Sequence, residues 1–188
     1  MNPQDFDPGP LADVAHHPEG ERATLVFVRH LRHPPARVWA ALTDPEQLRR
    51  WAPFDPDRDL ATPGPAVLRM TDGQTTEETP AEVRRAVPPE LLEYTWGDDL
   101  LRWELAPDGA GTRLTLRHTV ESPDWVPRIA AGWHLCLVVA ERQLDGEPIG
   151  PIVGREAKKY GWEELHDAYA AKLGIAGKGW PVEVFPDA

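Results

Sequence analysis

The chain of 188 residues carries 31 acidic and 20 basic side chains, a formal net charge of −11, so its average surface repels phosphate backbones and anionic headgroups, and nucleic acid is not an expected partner. No apolar run approaches the roughly 18 residues needed to span a bilayer, and MNPQDFDPGPLADVAHHPEGE lacks a basic flank followed by an apolar segment, so membrane insertion is excluded and a soluble, cytoplasmic protein is expected. The length suits one domain with a real core, and the single cysteine, Cys136, excludes an internal disulfide framework and fits a reducing compartment.

Residues 1–21 are rich in Pro, Gly and Asp and read as an N-terminal arm outside the main fold, with Phe6 and Leu11 as side chains able to pack. The first expected element is a half-buried strand, ATLVFVRHL, with Ala23, Leu25, Phe27 and Leu31 on one face. PPARVWAAL follows as a short helix entered through proline, where a missing N–H costs nothing, and it buries Val38, Trp39 and Leu42. Asp44-Pro45-Glu46-Gln47 supplies the N-cap, first-turn proline and glutamine of a second helix ahead of Leu48 and Trp51.

From Pro65 to Glu121 the turn signals predict a five-strand antiparallel meander. AVLRMT turns at Asp72-Gly73 into a strand over about 75–87, which Pro80 is expected to break or bulge. Pro88-Pro89-Glu90 leads to LLEYTW, Gly97-Asp98 to LLRWEL, and Pro107–Gly111 to TRLTLRHTV. Alternation points Leu92, Tyr94, Trp96, Leu101, Trp103, Leu105, Leu114, Leu116, His118 and Val120 one way. Arg113, Thr115, Arg117 and Thr119 point to water.

A sheet with one apolar face needs a cover. Arg128–Leu144 has the length and composition of a helix ending at Asp145-Gly146, and it supplies that cover. Its run from Leu135 to Ala140 is apolar on nearly every side, so a second element must pack on it. Residues 147–188 form a C-terminal extension in which 154–173 read as one amphipathic helix, with Ala157, Tyr160, Leu165, Ala168, Tyr169 and Leu173 near one stripe. A tail with Trp180, Val182, Val184 and Phe185 reads as an extended arm docked on the body.

Strand, two short helices, meander and long C-terminal helix give an α+β helix-grip arrangement over 22–146. RHLRHPPARVWAALTDPEQLRRW resembles the opening of START-like (SRPBCC, Bet v 1-like) proteins, in particular the heat-shock protein 90 ATPase activator homologue family. AEVRRAVPPELLEYTWGDD, GAGTRLTLRHTVES and AAGWHLCLVVAERQLDGEP, with Gly132-Trp133, continue the likeness over about Ala23–Leu144. The resemblance implies a cavity between a curved sheet and the long helix. It also implies a hydrophobic or amphipathic ligand such as a lipid, sterol or polyketide, since members bind such molecules and a few catalyse cyclisation or aromatisation. The eukaryotic co-chaperone resembles this chain only through one of its domains, so stimulation of a chaperone ATPase is not implied.

Such cavities are mostly apolar with a few placed polar groups. The face assignments make Trp51 and Phe54 the mouth, and Leu68, Met70, Tyr94, Trp96, Trp103, Leu116, His118, Trp133 and Leu137 the lining. The alternative is that the aromatics fill the space themselves. His118, inward between Leu116 and Val120, must find a hydrogen-bond partner in a ligand, the backbone or a tyrosine. As an enzyme of the cyclase kind, the chain would use His118 with Tyr94 or Glu104 for proton transfer, although alternation places Glu104 outside. His134 and Glu141 share a helix face that meets solvent or the extra helix.

No cofactor is expected. The metal candidates are His30 with His33, His16 with His17, and His118 with His134 and Cys136; on a strand His30 and His33 point to opposite faces and do not easily share an ion, and no metal is expected. Cys136 has no cationic neighbour to make it a nucleophile. Asp55, Asp57, Asp59, Asp98 and Asp99 read as solvated loop charges. A protein partner would engage the acidic C-terminal extension around a filled cavity.

Overall fold

The computed structural model describes residues 2–71 and 76–180. In chain order the elements are β1 (Asp13–Glu19), β2 (Arg22–Leu31), α1 (Pro35–Thr43), α2 (Pro45–Leu48), β3 (Phe54–Pro56), β4 (Gly64–Thr71), β5 (Thr76–Val87), β6 (Leu91–Trp96), β7 (Asp99–Asp108), β8 (Gly111–Val120), α3 (Val126–Leu144) and α4 (Trp162–Leu173). The eight strands make one antiparallel sheet in the order β1-β2-β8-β7-β6-β5-β4-β3. The expected α+β helix-grip fold is present: the sheet lays its apolar face against α3, and α4 packs beside that helix and against β1, with Tyr169 on Phe27.

Local chemistry accounts for the starts of the helices. Pro35 and Pro45 occupy first turns, and Asp44 Oδ1 accepts the Glu46 N–H at 2.9 Å. Gln47 does not close a capping box on the backbone; its amide donates to Asp44 Oδ2 at 3.4 Å. α1 buries Val38, Trp39 and Leu42 as the spacing predicts.

Four expectations need correction. The arm over 1–21 is, from Asp13 onward, a strand: β1 pairs with β2 through a two-residue turn whose Gly20 has φ +67°. A glycine at the first turn position suits the twist of a hairpin, but the polar, proline-containing DVAHHPE hid the strand. Second, β5 runs through Pro80, which pairs with Val67, and the register shift falls instead between Val83 and Arg85. Pro80 lies beyond the stretch where β6 is paired, its carbonyl accepting the Gly97 N–H at 3.2 Å, so its missing N–H leaves no ladder bond unmade. Third, the single helix over 154–173 is a 3₁₀ stretch, Gly154–Tyr160, and then α4. Gly161 between them sits at φ +84°, a left-handed conformation that ends the first segment. Fourth, Thr115, expected in water, is buried between its cross-strand neighbours Val28 and Glu104. The Asp72-Gly73 turn and Val182, Val184 and Phe185 lie outside the described residues.

The inner-face assignment agrees with the burial. Leu92, Leu101, Leu116, His118 and Val120 have no exposed surface, and Trp96 alone of the ten residues assigned to that face is only partly buried. Residues 175–180 dock at the start of α3: the Lys178 N–H donates to the Asp124 carbonyl at 2.9 Å, and Trp180 meets Trp162 edge-on at 5.0 Å.

Candidate functional site

Six of the eleven proposed lining residues are aromatic, and the fold gathers all six. β6 and β7 pair Leu92 with Trp103 and Tyr94 with Leu101, which brings Tyr94 beside Trp103; the Trp103 indole N–H donates to the Tyr94 hydroxyl at 3.1 Å. Trp51, delivered by α2, meets Trp103 edge-on at 6.4 Å and donates its N–H to the Ala41 carbonyl at 2.9 Å. Trp133 descends from α3 onto Trp103 at 5.2 Å. Phe54 sits between Tyr94 at 6.2 Å and Trp96 at 5.1 Å. These mostly edge-to-face contacts suit rings with a negative face and positive rim. Leu68, Leu116 and Leu137 are buried beside them.

The expected mouth is misplaced. Trp51 and Phe54 are 1% and 3% exposed, because α2 and β3 fold them inward, while the partly exposed members of the set are Met70 and Trp96. The short strand β3, anchored by pairing Phe54 with Met70, is the element that sequence periodicity was too short to reveal.

His118 lies within this aromatic shell with no exposed surface. Its Nδ1 accepts the Trp133 indole N–H at 2.9 Å, and its Nε2 is 2.9 Å from Asp99 Oδ2. An indole nitrogen can only donate, so Nδ1 is unprotonated and the proton of the neutral ring is on Nε2, donated to the carboxylate. Trp96 stacks on the imidazole at 6.3 Å. Asp99 is therefore the partner of a buried histidine and not a solvated loop charge. The signal was there to read, since Asp99, Leu101 and Trp103 alternate onto one face of β7. Burial holds the Tyr94 phenol well above its ordinary range, with the Trp103 hydrogen bond opposing weakly. Glu104 is on the outer face, bonded to Arg102 at 2.6 Å.

His134 and Glu141 turn away from this cluster. His134 Nε2 donates to the Pro8 carbonyl at 2.8 Å, its Nδ1 is 2.7 Å from the Tyr169 hydroxyl, and Glu141 pairs with Arg29 at 3.4 Å. Burial, more than the nearby Arg29, pushes the His134 imidazole down to about 4, against the opposing bond to Pro8. Burial likewise pushes the Cys136 thiol up to about 12, so a thiolate is not populated near neutrality. His30 and His33 bond separate carboxylates, Asp108 at 2.6 Å and Asp145 at 2.8 Å. Among the described residues no three His, Cys, Asp or Glu side chains cluster in a way that could hold a metal ion, and no helix is long and apolar enough to cross a membrane.

Similar structures share this architecture at low identity. CalU16 from Micromonospora echinospora is 21% identical with a TM-score of 0.62, the match covering 85% of this chain and 95% of that one. A conserved protein of unknown function from Enterococcus faecalis is 17% identical with a TM-score of 0.66, covering 86% and 91%. An AHSA1-like protein from Aeromonas hydrophila is 20% identical with a TM-score of 0.57, covering 65% and 92%. These likenesses show the fold alone. A search of curated proteins found no match. The family model "Activator of Hsp90 ATPase homolog 1-like protein" matches residues 32–140, a stretch from the end of β2 into α3 that contains every side chain of the aromatic cluster. The chain belongs to the Activator of Hsp90 ATPase homolog 1-like family.

Proposed function

We propose that the protein binds an apolar or amphipathic small molecule, of lipid, sterol or polyketide type, on the aromatic inner face between sheet and α3, with no covalent step. The observation that carries this reading is the Tyr94 hydroxyl. It is buried, and among the described residues its one hydrogen-bond partner is the Trp103 N–H, which it accepts. Its own proton is left without an acceptor there, a cost that buried polar groups seldom bear. A ligand oxygen would take that proton while its carbon skeleton packs on Phe54, Trp96 and Met70. Entry would follow displacement of Trp96, the partly exposed ring over His118.

Proton-transfer chemistry has less support. A general base needs a free lone pair within reach of substrate, and the one on His118 is occupied by Trp133. A protein partner seated on the C-terminal extension also has less support, because Trp162, Leu165 and Tyr169 of α4 are buried in packing within the chain.

Native mass spectrometry after gentle purification is expected to show a stoichiometric adduct. Tyr94→Phe should weaken titration by oleate or a sterol, followed by tryptophan fluorescence, by about 3- to 10-fold, the value of one net hydrogen bond. A bare mass, with fluorescence indifferent to both ligand types, would overturn the reading.

A further inference from the structure

The segment before β1 is tied down by a polar network that the proposed ligand site does not use. Residues 2–12 contain one 3₁₀ turn, Pro3–Asp5, and no strand pairing. Their hold on the body is specific. The Pro8 carbonyl accepts from His134 Nε2 at 2.8 Å; the Ala12 N–H donates to the Tyr169 hydroxyl at 3.0 Å; the Ala12 carbonyl accepts from Lys172 Nζ at 2.9 Å. Phe6 meets Tyr160 edge-on at 5.2 Å, and a cleft of about 380 Å³ remains between this segment and the start of α4.

The tautomers follow from the partners. A carbonyl oxygen can only accept, so His134 carries its proton on Nε2 and presents a lone pair at Nδ1. The Tyr169 hydroxyl, already accepting from Ala12, donates its proton to that lone pair at 2.7 Å. Three groups are thereby satisfied through one hydroxyl. A second proton on His134 turns Nδ1 into a donor facing a donor. The hydroxyl can rotate to accept it, and its own proton is then stranded in a buried site.

We propose that His134 is a proton-operated latch: protonation at Nδ1 reverses the Tyr169–His134 bond, leaves the phenol proton without an acceptor, and thereby favours release of residues 2–12 from α3 and α4 while the sheet stays folded. The groups around it support release. Arg29 of β2, paired with Glu141 of α3, sets a positive charge near the ring. From α4 come Tyr169 and Lys172, and from β1 come Asp13, 3.8 Å from Lys172, and His16 on the face shared with Val14. Among the described residues His134 bonds a hydroxyl and a backbone carbonyl, neither of them a carboxylate that would neutralise an imidazolium. The segment lacks the ladder bonds that hold the sheet, so it opens at lower cost than the core.

Sign and size follow from linkage. Closed, the imidazole titrates at about 4; released, it returns to 6.5. The latch therefore contributes in full above pH 6.5 and is lost as pH falls toward 4, because the open state binds more protons. The opening constant should rise about 100-fold between pH 7 and pH 4.

Hydrogen exchange of the full chain, corrected for intrinsic rates, tests this. Amides at and before Ala12 should lose protection over that range while those of β2 and β8 keep theirs. Tyr169→Phe should raise opening of the segment about 10-fold at pH 7, and His134→Gln should abolish the pH step. A step that persists in His134→Gln would assign the effect to His16 or Glu141 and overturn the proposal. Loss of protection simultaneous with the sheet would overturn it as well. If His134→Gln does not fold, the imidazole resonance of His134 in the unaltered protein decides: its titration must coincide with the step.

Discussion

Trp133→Ala is expected to destabilise the protein by about 3–5 kcal/mol, the usual cost of emptying a core site of an indole. Against a total of about 5–15 kcal/mol for a domain, that leaves a marginal fold. The ring is 3% exposed and contacts Trp103, Trp96 and His118. Trp133→Phe separates the two contributions, since it keeps an aromatic ring and removes the N–H. His118 Nδ1 then loses its donor inside an apolar shell, at about 1–3 kcal/mol. Urea unfolding of both variants, with His118→Leu alone and combined with Trp133→Phe, gives the coupling directly. A Trp133→Phe variant within about 0.5 kcal/mol of the parent would show that the indole–imidazole bond adds nothing, and that His118 is held by Asp99 alone.

Gly111→Ala should cost about 3 kcal/mol or more, at the upper end of overpacking effects. The reason is space and not dihedral freedom. A Cβ at Gly111 would overlap the Leu31 carbonyl oxygen and lie 3.2 Å from its carbon and 3.4 Å from Arg32 Cα. Backbone cannot swing aside as a side chain can, so β2 and β8 would have to part where Leu31 pairs with Thr112. Gly109, two residues earlier, is the control: φ is +59°, yet nothing lies within 4 Å of a Cβ there. Gly109→Ala should cost only the left-handed penalty of about 1–2 kcal/mol. Thermal unfolding of the pair checks the ranking, and equal losses would mean that the close approach at Leu31 relaxes freely.

Much of this architecture is legible in the amino-acid sequence. Turn signals found the meander, and period-two alternation gave the faces of β6, β7 and β8 because each has one buried face, so it placed His118 inward. What escaped were elements whose patterns are too short or too polar to carry a period. β3 has three residues, and β1 reads as DVAHHPE because only Val14 and His16 turn toward the body. The aromatic cluster was legible as a set of residues that share one face. Its internal arrangement was not, because alternation assigns a face and leaves depth undetermined. Trp51 and Phe54 were thus placed near the surface, whereas both are buried and Met70 and Trp96 are the partly exposed members of the set. Asp99 escaped for another reason: the turn at Gly97-Asp98 suggested solvent and masked its alternation with Leu101 and Trp103, which places it on the face of its β8 partner His118.

The neighbour relation of β2 and β8 has a consequence for how the chain folds. The hydroxyls of Thr24 and Thr119, 2.7 Å apart, belong to residues separated by 95 positions. From β5 to β8 the strands are joined by short turns, each forming within its own neighbourhood. The β2–β8 seam must instead gather the ends of a long loop, and that entropy is lost before the contact returns anything. During synthesis, Leu25 and Phe27 are made early and have no sheet to join until Gly111–Val120 has left the ribosome. Over that interval the β1–β2 hairpin is the exposed, aggregation-prone part of the nascent chain. Arrival of β8 ends the exposure, and α3, the next helix to emerge, seals the seam.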